Sequence, residues 1–214
     1  MTALSVDFEG LPDDVRVGLA RAGAEADALA ALSEEERARM GTFGHADRRR
    51  SFALGRLAAR TLLADALGAP AQEVPLGVAT AGAPEVPGHA LYLSISHAGR
   101  GAGLAAAAAV GGRPVGVDLE TAGPRHVDLL ARILGPGESG IAGALGTSPA
   151  DAPALVWALK EAVLKGLGTG LRRGARSVVL EPRAAGVVAA HDGADEWTVR
   201  FDRAGPFWLA VAWR

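Results

Sequence analysis

Cysteine is absent from the 214 residues. Disulfide staples, zinc–thiolate centres and thiol nucleophiles are thereby excluded, and a reducing, cytoplasmic setting suits such a chain. Charge of one sign is also lacking, because 22 Lys and Arg face 24 Asp and Glu for a formal net charge of −2. No global basic field exists to draw nucleic acid, so an anionic ligand must be held by local clusters of Arg and Lys. The first ten residues carry Asp7 and Glu9. They lack the basic-then-apolar pattern of a secretory signal. The longest apolar run, residues 101–112, is too short and too rich in Ala to span a bilayer. Aromatics make up only 5% of the chain. Hydrophobic residues nonetheless reach 49%, which is enough for a buried core and places the chain among globular proteins.

Punctuation along the chain predicts an α+β fold in two halves, residues 1–112 and 113–214, divided near Gly111. Ser33-Glu34-Glu35-Glu36 is a capping-box pattern and predicts a short helix through Met40. Asp47 opens a longer helix with Phe52, Leu57, Leu63, Ala64 and Leu67 on its apolar face, stopped by Gly68 and Pro70. On that helix Arg49, Arg56 and Arg60 form a basic stripe. Leu91 to His97 alternates as a strand, with Leu91, Leu93, Ile95 and His97 sharing one face. Leu104 to Val110 reads as a buried strand and Val115 to Glu120 as another. Helices follow over His126 to Leu134 and Ala154 to Leu167, and Pro136 to Pro153 reads as loop. The tail from Ser177 holds several β-like runs. The order is helices then strands, twice, which argues against an alternating parallel sheet.

Four groups of residues can carry chemistry. In Val115-Gly116-Val117-Asp118-Leu119-Glu120, strand alternation turns Gly116, Asp118 and Glu120 away from the apolar side, the two carboxylates roughly 6.5 Å apart at their α-carbons. One hard cation fits both, and all-oxygen ligands favour magnesium, manganese or calcium over zinc. Gly116 leaves room for a ligand beside the backbone. The competing reading is an ordinary solvated acidic face. In Trp157 to Lys165, the residues Trp157, Glu161 and Lys165 lie four apart on one helix side, so Glu161 can add a third carboxylate while Lys160 and Lys165 hold phosphates. A plain Glu-to-Lys helix pair competes with that. Ser94-Ile95-Ser96-His97 ends a strand with hydroxyls and an imidazole suited to a phosphate, against a His that merely fills a core. The last group is basic: Arg37, Arg39, Arg48, Arg49, Arg50, Arg56 and Arg60, then Arg172, Arg173 and Arg176. Gly166-Leu167-Gly168-Thr169-Gly170 follows a helix, so it is no dinucleotide fingerprint, and no phosphate-loop Gly-Lys-Ser/Thr occurs.

Taken together and in order, these segments resemble the Sfp-type 4′-phosphopantetheinyl transferases, in the branch carrying Trp and Lys-Glu-Ala. The resemblance rests on Ser-Ile-Ser-His-Ala-Gly at 94–99, Val-Gly-Val-Asp-Leu-Glu at 115–120 and Trp-Ala-Leu-Lys-Glu-Ala-Val-Leu-Lys at 157–165. Arg39 to Phe43 and the Gly55-Arg56 helix add to it. The resemblance implies two similar halves related by a pseudo-twofold, forming one cleft for coenzyme A. It implies magnesium (manganese being possible) on Asp118, Glu120 and Glu161. Arg39, Arg50, Arg56, Ser96, His97, Lys160 and Lys165 would contact coenzyme A. The implied reaction moves 4′-phosphopantetheine to a serine of an acyl or peptidyl carrier protein and releases 3′,5′-ADP. Glu161 serves as base, directly or through a water, and Lys165 aids the leaving phosphate. A cytoplasmic monomer working in secondary metabolism, with no nucleic-acid or membrane partner, is the matching expectation. Where the family often has Gly-Lys-Pro, this chain has Gly82-Ala83-Pro84, so one expected cation is missing. The alternative is a coenzyme A-binding module that has lost transfer.

Overall fold

The computed structural model describes residues 3–5, 8–79, 82–124, 127–168 and 173–214. The chain divides into two compact units, Met1–Gly112 and Arg113–Arg214. Helices and antiparallel sheets coexist in both, and the fold class is α+β.

The first unit opens with strands β1 (Ala3–Ser5) and β2 (Val15–Arg21). Helices α1 (Glu25–Ala31), α2 (Glu34–Gly41) and α3 (Ala46–Leu67) follow. A two-stranded ribbon, β3 (Gly77–Val78) with β4 (Pro84–Glu85), precedes β5 (Tyr92–Ala98) and β6 (Ala105–Gly111). The main sheet has the antiparallel order β1-β2-β6-β5. The capping box forms as its sequence predicts: Glu36 N donates to Ser33 Oγ and Ser33 N to the Glu36 carboxylate. Gly68 ends α3 in the left-handed region at φ 64°, where a side chain is disfavoured. All seven residues of β6 are buried. Ala106, Ala108 and Val110 join Leu54, Leu57, Ala58 and Leu62 of α3 in one apolar core. Alanines here keep the sheet surface low. At Gly55 a Cβ would lie 2.9 Å from Ile95 Cγ2, so the helix rests close on β5.

The second unit begins with β7 (Val115–Thr121), then α4 (Val127–Ile133), α5 (Ile141–Ala144) and α6 (Ala152–Gly166). It ends with β8 (Val178–Ala184), β9 (Val187–Asp192), β10 (Asp195–Ala204) and β11 (Phe207–Trp213). Its sheet order is β7-β11-β10-β9-β8, antiparallel throughout. The start of the helix expected from His126 falls outside the described residues. The last strand before the helices in the first unit, β2, and the opening strand of the second, β7, each pair with their unit's last strand, which pairs with the last but one: β2-β6-β5 and β7-β11-β10. The repeat is one of topology, and each unit runs strand, helices, strands rather than helices then strands. The stretch read as loop holds α5 and the start of α6, whose first turn takes Pro153 without losing a helical hydrogen bond. Among the described residues no helix is long and apolar enough to cross a membrane.

Gly116 has a different job from the one its sequence suggests. A Cβ there would run into the Ala162 carbonyl oxygen and lie 2.5 Å from Gly166 N. The space is therefore filled by α6 rather than left for a ligand. Gly166 faces the same limit, with Trp197 Cζ3 at 2.6 Å from where its Cβ would be. Both clashes involve groups that cannot swing aside, so Gly116→Ala should lower stability by about 1–3 kcal/mol or more, as overpacking does. Urea denaturation monitored by tryptophan fluorescence checks this; an unchanged midpoint would contradict the packing described.

Candidate active site

Because Gly116 faces α6, strand alternation sends the Asp118 and Glu120 side chains to that same face of β7. Asp118 is buried and Glu120 half-buried. From the helix, Glu161 and Lys165 project one turn apart. Lys165 Nζ reaches Asp118 Oδ1 at 2.5 Å. Glu161 is only 7% exposed, and its buried Oε1 meets no hydrogen-bond donor among the described residues. Burial pushes the Glu161 carboxyl above its ordinary range; the Lys165 ammonium opposes this and the negative charge of Asp118 adds to it.

The group thus holds two mutually repelling carboxylates and one ammonium. Among the described residues, no three acidic or histidine side chains gather closely enough to hold a metal by themselves. Glu120 lies on the same strand face but does not complete such a trio. Its strand neighbour across β11 is Trp208. Magnesium keeps several waters and takes only one or two carboxylates when a substrate supplies phosphate oxygens. A buried, unmatched carboxylate oxygen on Glu161 beside Asp118 is chemically suited to such an ion.

Lys160 requires a correction. It was expected at a phosphate, but it is 0% exposed, its ammonium 2.5 Å from Glu138 Oε2 and 2.7 Å from Val178 O. The same Glu138 accepts hydrogen bonds from Leu180 N (2.7 Å) and from Gly135 N. A helix presents successive residues about 100° apart, so Glu161 and Lys160 cannot both face β7. Lys160 ties α6 to the segment before α5 and to β8. Glu138, its partner, carried no signal in the sequence because the two are 22 residues apart.

The first unit contains a cavity of about 1040 Å³. Arg39, Arg48, Arg56, Arg100, His45 and His97 supply its basic lining. Phe43 and Phe52 stack edge to face at 5.3 Å between ring centres. The rings carry the cations: Arg48 lies 4.9 Å above Phe43, and Arg56 and Arg39 lie 4.9 and 5.9 Å from Phe52. Ile95 and His97 reach the lining from one face of β5, as the alternation of that strand predicts. Such a mixture of guanidinium, imidazole and aromatic surface suits a phosphorylated ligand with an apolar part.

Three expected contacts read differently here. Ser96 is buried on the opposite face of β5 and is absent from the cavity wall. Arg50 points elsewhere as well, to Glu25 at 3.2 Å and Asp47 at 3.9 Å. Arg48, two residues earlier, takes the wall position. Arg56 does line the cavity, yet it is buried with Nε 3.0 Å from Glu36 Oε1, a carboxylate it shares with Arg60. Arg60 of the same stripe is a structural residue, bound to Glu36 at 2.9 and 3.0 Å and to the carbonyls of Ala71 and Val74. Arg100 and His45 escaped the sequence reading, being single residues in turns. Gly82 and Pro84, which flank Ala83, line the same cavity as Arg48 and Arg100. Arg173 pairs with Asp192 at 2.5 Å. Thr169, Gly170 and Arg172 lie outside the described residues.

Comparison with known proteins gives two similarities. Residues 114–212 match the family described as the 4′-phosphopantetheinyl transferase superfamily. A 4′-phosphopantetheinyl transferase from Bacillus subtilis is 30% identical over 152 residues, covering 70% of this chain and 66% of the relative. The chain thus spans just under two thirds of that relative's length.

Two stability tests follow from these contacts. Lys160→Met leaves the Glu138 carboxylate buried without its cation and should cost about 3–5 kcal/mol, whereas adding Glu138→Gln should recover part of that. Equal losses for the single and double variants in guanidinium titrations would contradict the pairing. Glu161 holds its proton more tightly folded than unfolded, so its contribution to stability falls as pH rises from about 4.5, its ordinary value, through its raised folded value. Without added metal, Glu161→Gln should therefore gain on the wild type as pH rises toward 7 in urea titrations at stepped pH. A gap that stays flat or narrows would contradict the raised carboxyl.

Proposed function

We propose that this chain, whose residues 114–212 match the 4′-phosphopantetheinyl transferase superfamily, moves the 4′-phosphopantetheine arm of coenzyme A to a serine of an acyl or peptidyl carrier protein. The observation that carries the reading is the buried Glu161 carboxylate, one helical turn from Lys165 and beside Asp118.

Coenzyme A is the substrate that suits the first unit's cavity. Arg39, Arg48 and Arg100 supply charge for its phosphates, His97 a further donor, and Phe43 and Phe52 apolar surface. In the second unit Asp118 and Glu161 would hold magnesium or manganese, Glu120 adding acidity on the same strand face. When bound, that ion supplies Lewis-acid neutralisation of pyrophosphate charge.

The serine oxygen forms a bond to the β-phosphorus of coenzyme A. The bond from that phosphorus to the bridging oxygen breaks, and 3′,5′-ADP leaves with the electron pair. Glu161 accepts the serine proton, directly or through a water. Lys165 offers an ammonium proton to the leaving phosphate. Little covalent work falls to the protein, so positioning and charge stabilisation dominate the rate. Action as a cytoplasmic monomer goes with this reading, supported by the cysteine-free composition and by the presence of both units in one chain.

Incubated with apo carrier protein, coenzyme A and magnesium, the protein should add one phosphopantetheine mass to the carrier, a gain that chelator abolishes. Unmodified acyl and peptidyl carriers, with coenzyme A still bound, would instead identify a binding module without transfer. Glu161→Gln should cut the rate by about 10²–10⁴-fold, the usual worth of a general base. Retained turnover in that folded variant would remove Glu161 from the chemistry.

A further inference from the structure

Among the described residues, Asp47 is the one acidic side chain in the wall of a cavity whose basic lining is four arginines and two histidines. Its charge opposes any polyanion the cavity receives, so its place calls for a different contribution. The Asp47 carboxylate, in the first turn of α3, accepts a hydrogen bond from Gly101 N through Oδ2 at 3.2 Å, across 54 residues of sequence. Gly101 follows Arg100 in the tight turn from Gly99 to Leu104. In that turn Gly103 N donates to Arg100 O at 2.9 Å and Leu104 N to Gly101 O at 3.3 Å. Gly99 has φ 84°, and a Cβ on it would run into the Gly103 carbonyl oxygen, so the turn has little freedom of its own once closed. Among the described hydrogen bonds, the one from Gly101 N to Asp47 fixes that turn to the helix that carries Arg48.

We infer that Asp47 is a positioning residue for coenzyme A recognition: its carboxylate anchors the 99–104 turn and so aims Arg100 into the cavity opposite Arg48. The inference rests on the reading that this cavity receives coenzyme A. Asp47 gives up some electrostatic attraction for the ligand and gains a fixed direction for the long Arg100 side chain, which otherwise loses rotamer freedom on binding.

Charge and anchoring predict opposite signs, and two substitutions separate them. Asp47→Asn removes the charge and keeps an oxygen acceptor; Asp47→Ala removes both. Titration calorimetry with coenzyme A should find Asp47→Asn binding at least as tightly as wild type. Asp47→Ala should bind about three- to tenfold more weakly than Asp47→Asn, the worth of one hydrogen bond. Arg100→Ala, an exposed position whose folding is not at issue, should weaken binding as well, and the difference between Asp47→Ala and Asp47→Asn should vanish in that background. In turnover assays the effect should appear in KM for coenzyme A with kcat held. Equal or tighter binding by Asp47→Ala relative to Asp47→Asn, or an Arg100→Ala variant with wild-type affinity, overturns the inference while leaving coenzyme A in the cavity. Wild-type protein that binds no coenzyme A overturns the functional reading and this inference together.

Discussion

The close seat of α6 on β7 is the constraint from which the second unit's chemistry follows. Two glycines make it possible: Gly116 on the strand and Gly166 at the helix end, each too near its neighbour for a side chain. With the helix that close, alternation along the strand and the 3.6-residue period of the helix bring Asp118, Glu161 and Lys165 into one small volume. Burial then raises the proton affinity of Glu161, and Lys165 balances Asp118. A looser helix would admit water and leave ordinary, independently solvated charges. The apolar part of α6, including Leu155, Leu159 and Val163, fixes the seat from the other side by packing into the core with Val178, Val188 and Val199.

Each unit also ties its long helix with a buried acid–base contact to the segment before it. In the first, Glu36 of α2 holds Arg56 and Arg60 of α3. In the second, Glu138 holds Lys160 of α6. Breaking a buried pair costs more than forming one gains, so these contacts specify an arrangement rather than add much stability. The shared strand order and the shared tie make the two units alike in construction while their sequences show no close repeat. Their charged groups differ: the first has cations on aromatic rings, the second carboxylates and an ammonium.

Much of this was legible in the sequence. The capping box at Ser33, the alternation through Ile95 and His97, and the strong helix around Glu161 state local rules, and local rules survive folding. Gly116 was legible as special but not as to why, since a glycine reads alike whether a ligand or a helix fills its space. Lys160 misled because a lysine next to a motif glutamate looks available. Its burial is decided by Glu138 and the Val178 carbonyl, which only tertiary structure brings near. The arginine run at 48–50 had a similar limit. Three adjacent helical residues point three ways, and the cavity selects Arg48 while Arg50 turns to Glu25. Arg100 stood alone in a turn, with no periodicity to mark it, and Val15–Arg21 became a strand through pairing with β6.

The claim that most needs a direct test is that Asp118 and Glu161 act as a divalent-metal site during transfer. Crystals grown with coenzyme A and manganese, measured for anomalous scattering from manganese, would locate the ion without reference to turnover. The account predicts an anomalous peak bonded to the Asp118 and Glu161 carboxylates. Coenzyme A bound with manganese elsewhere, or with no manganese at these two carboxylates, would contradict it.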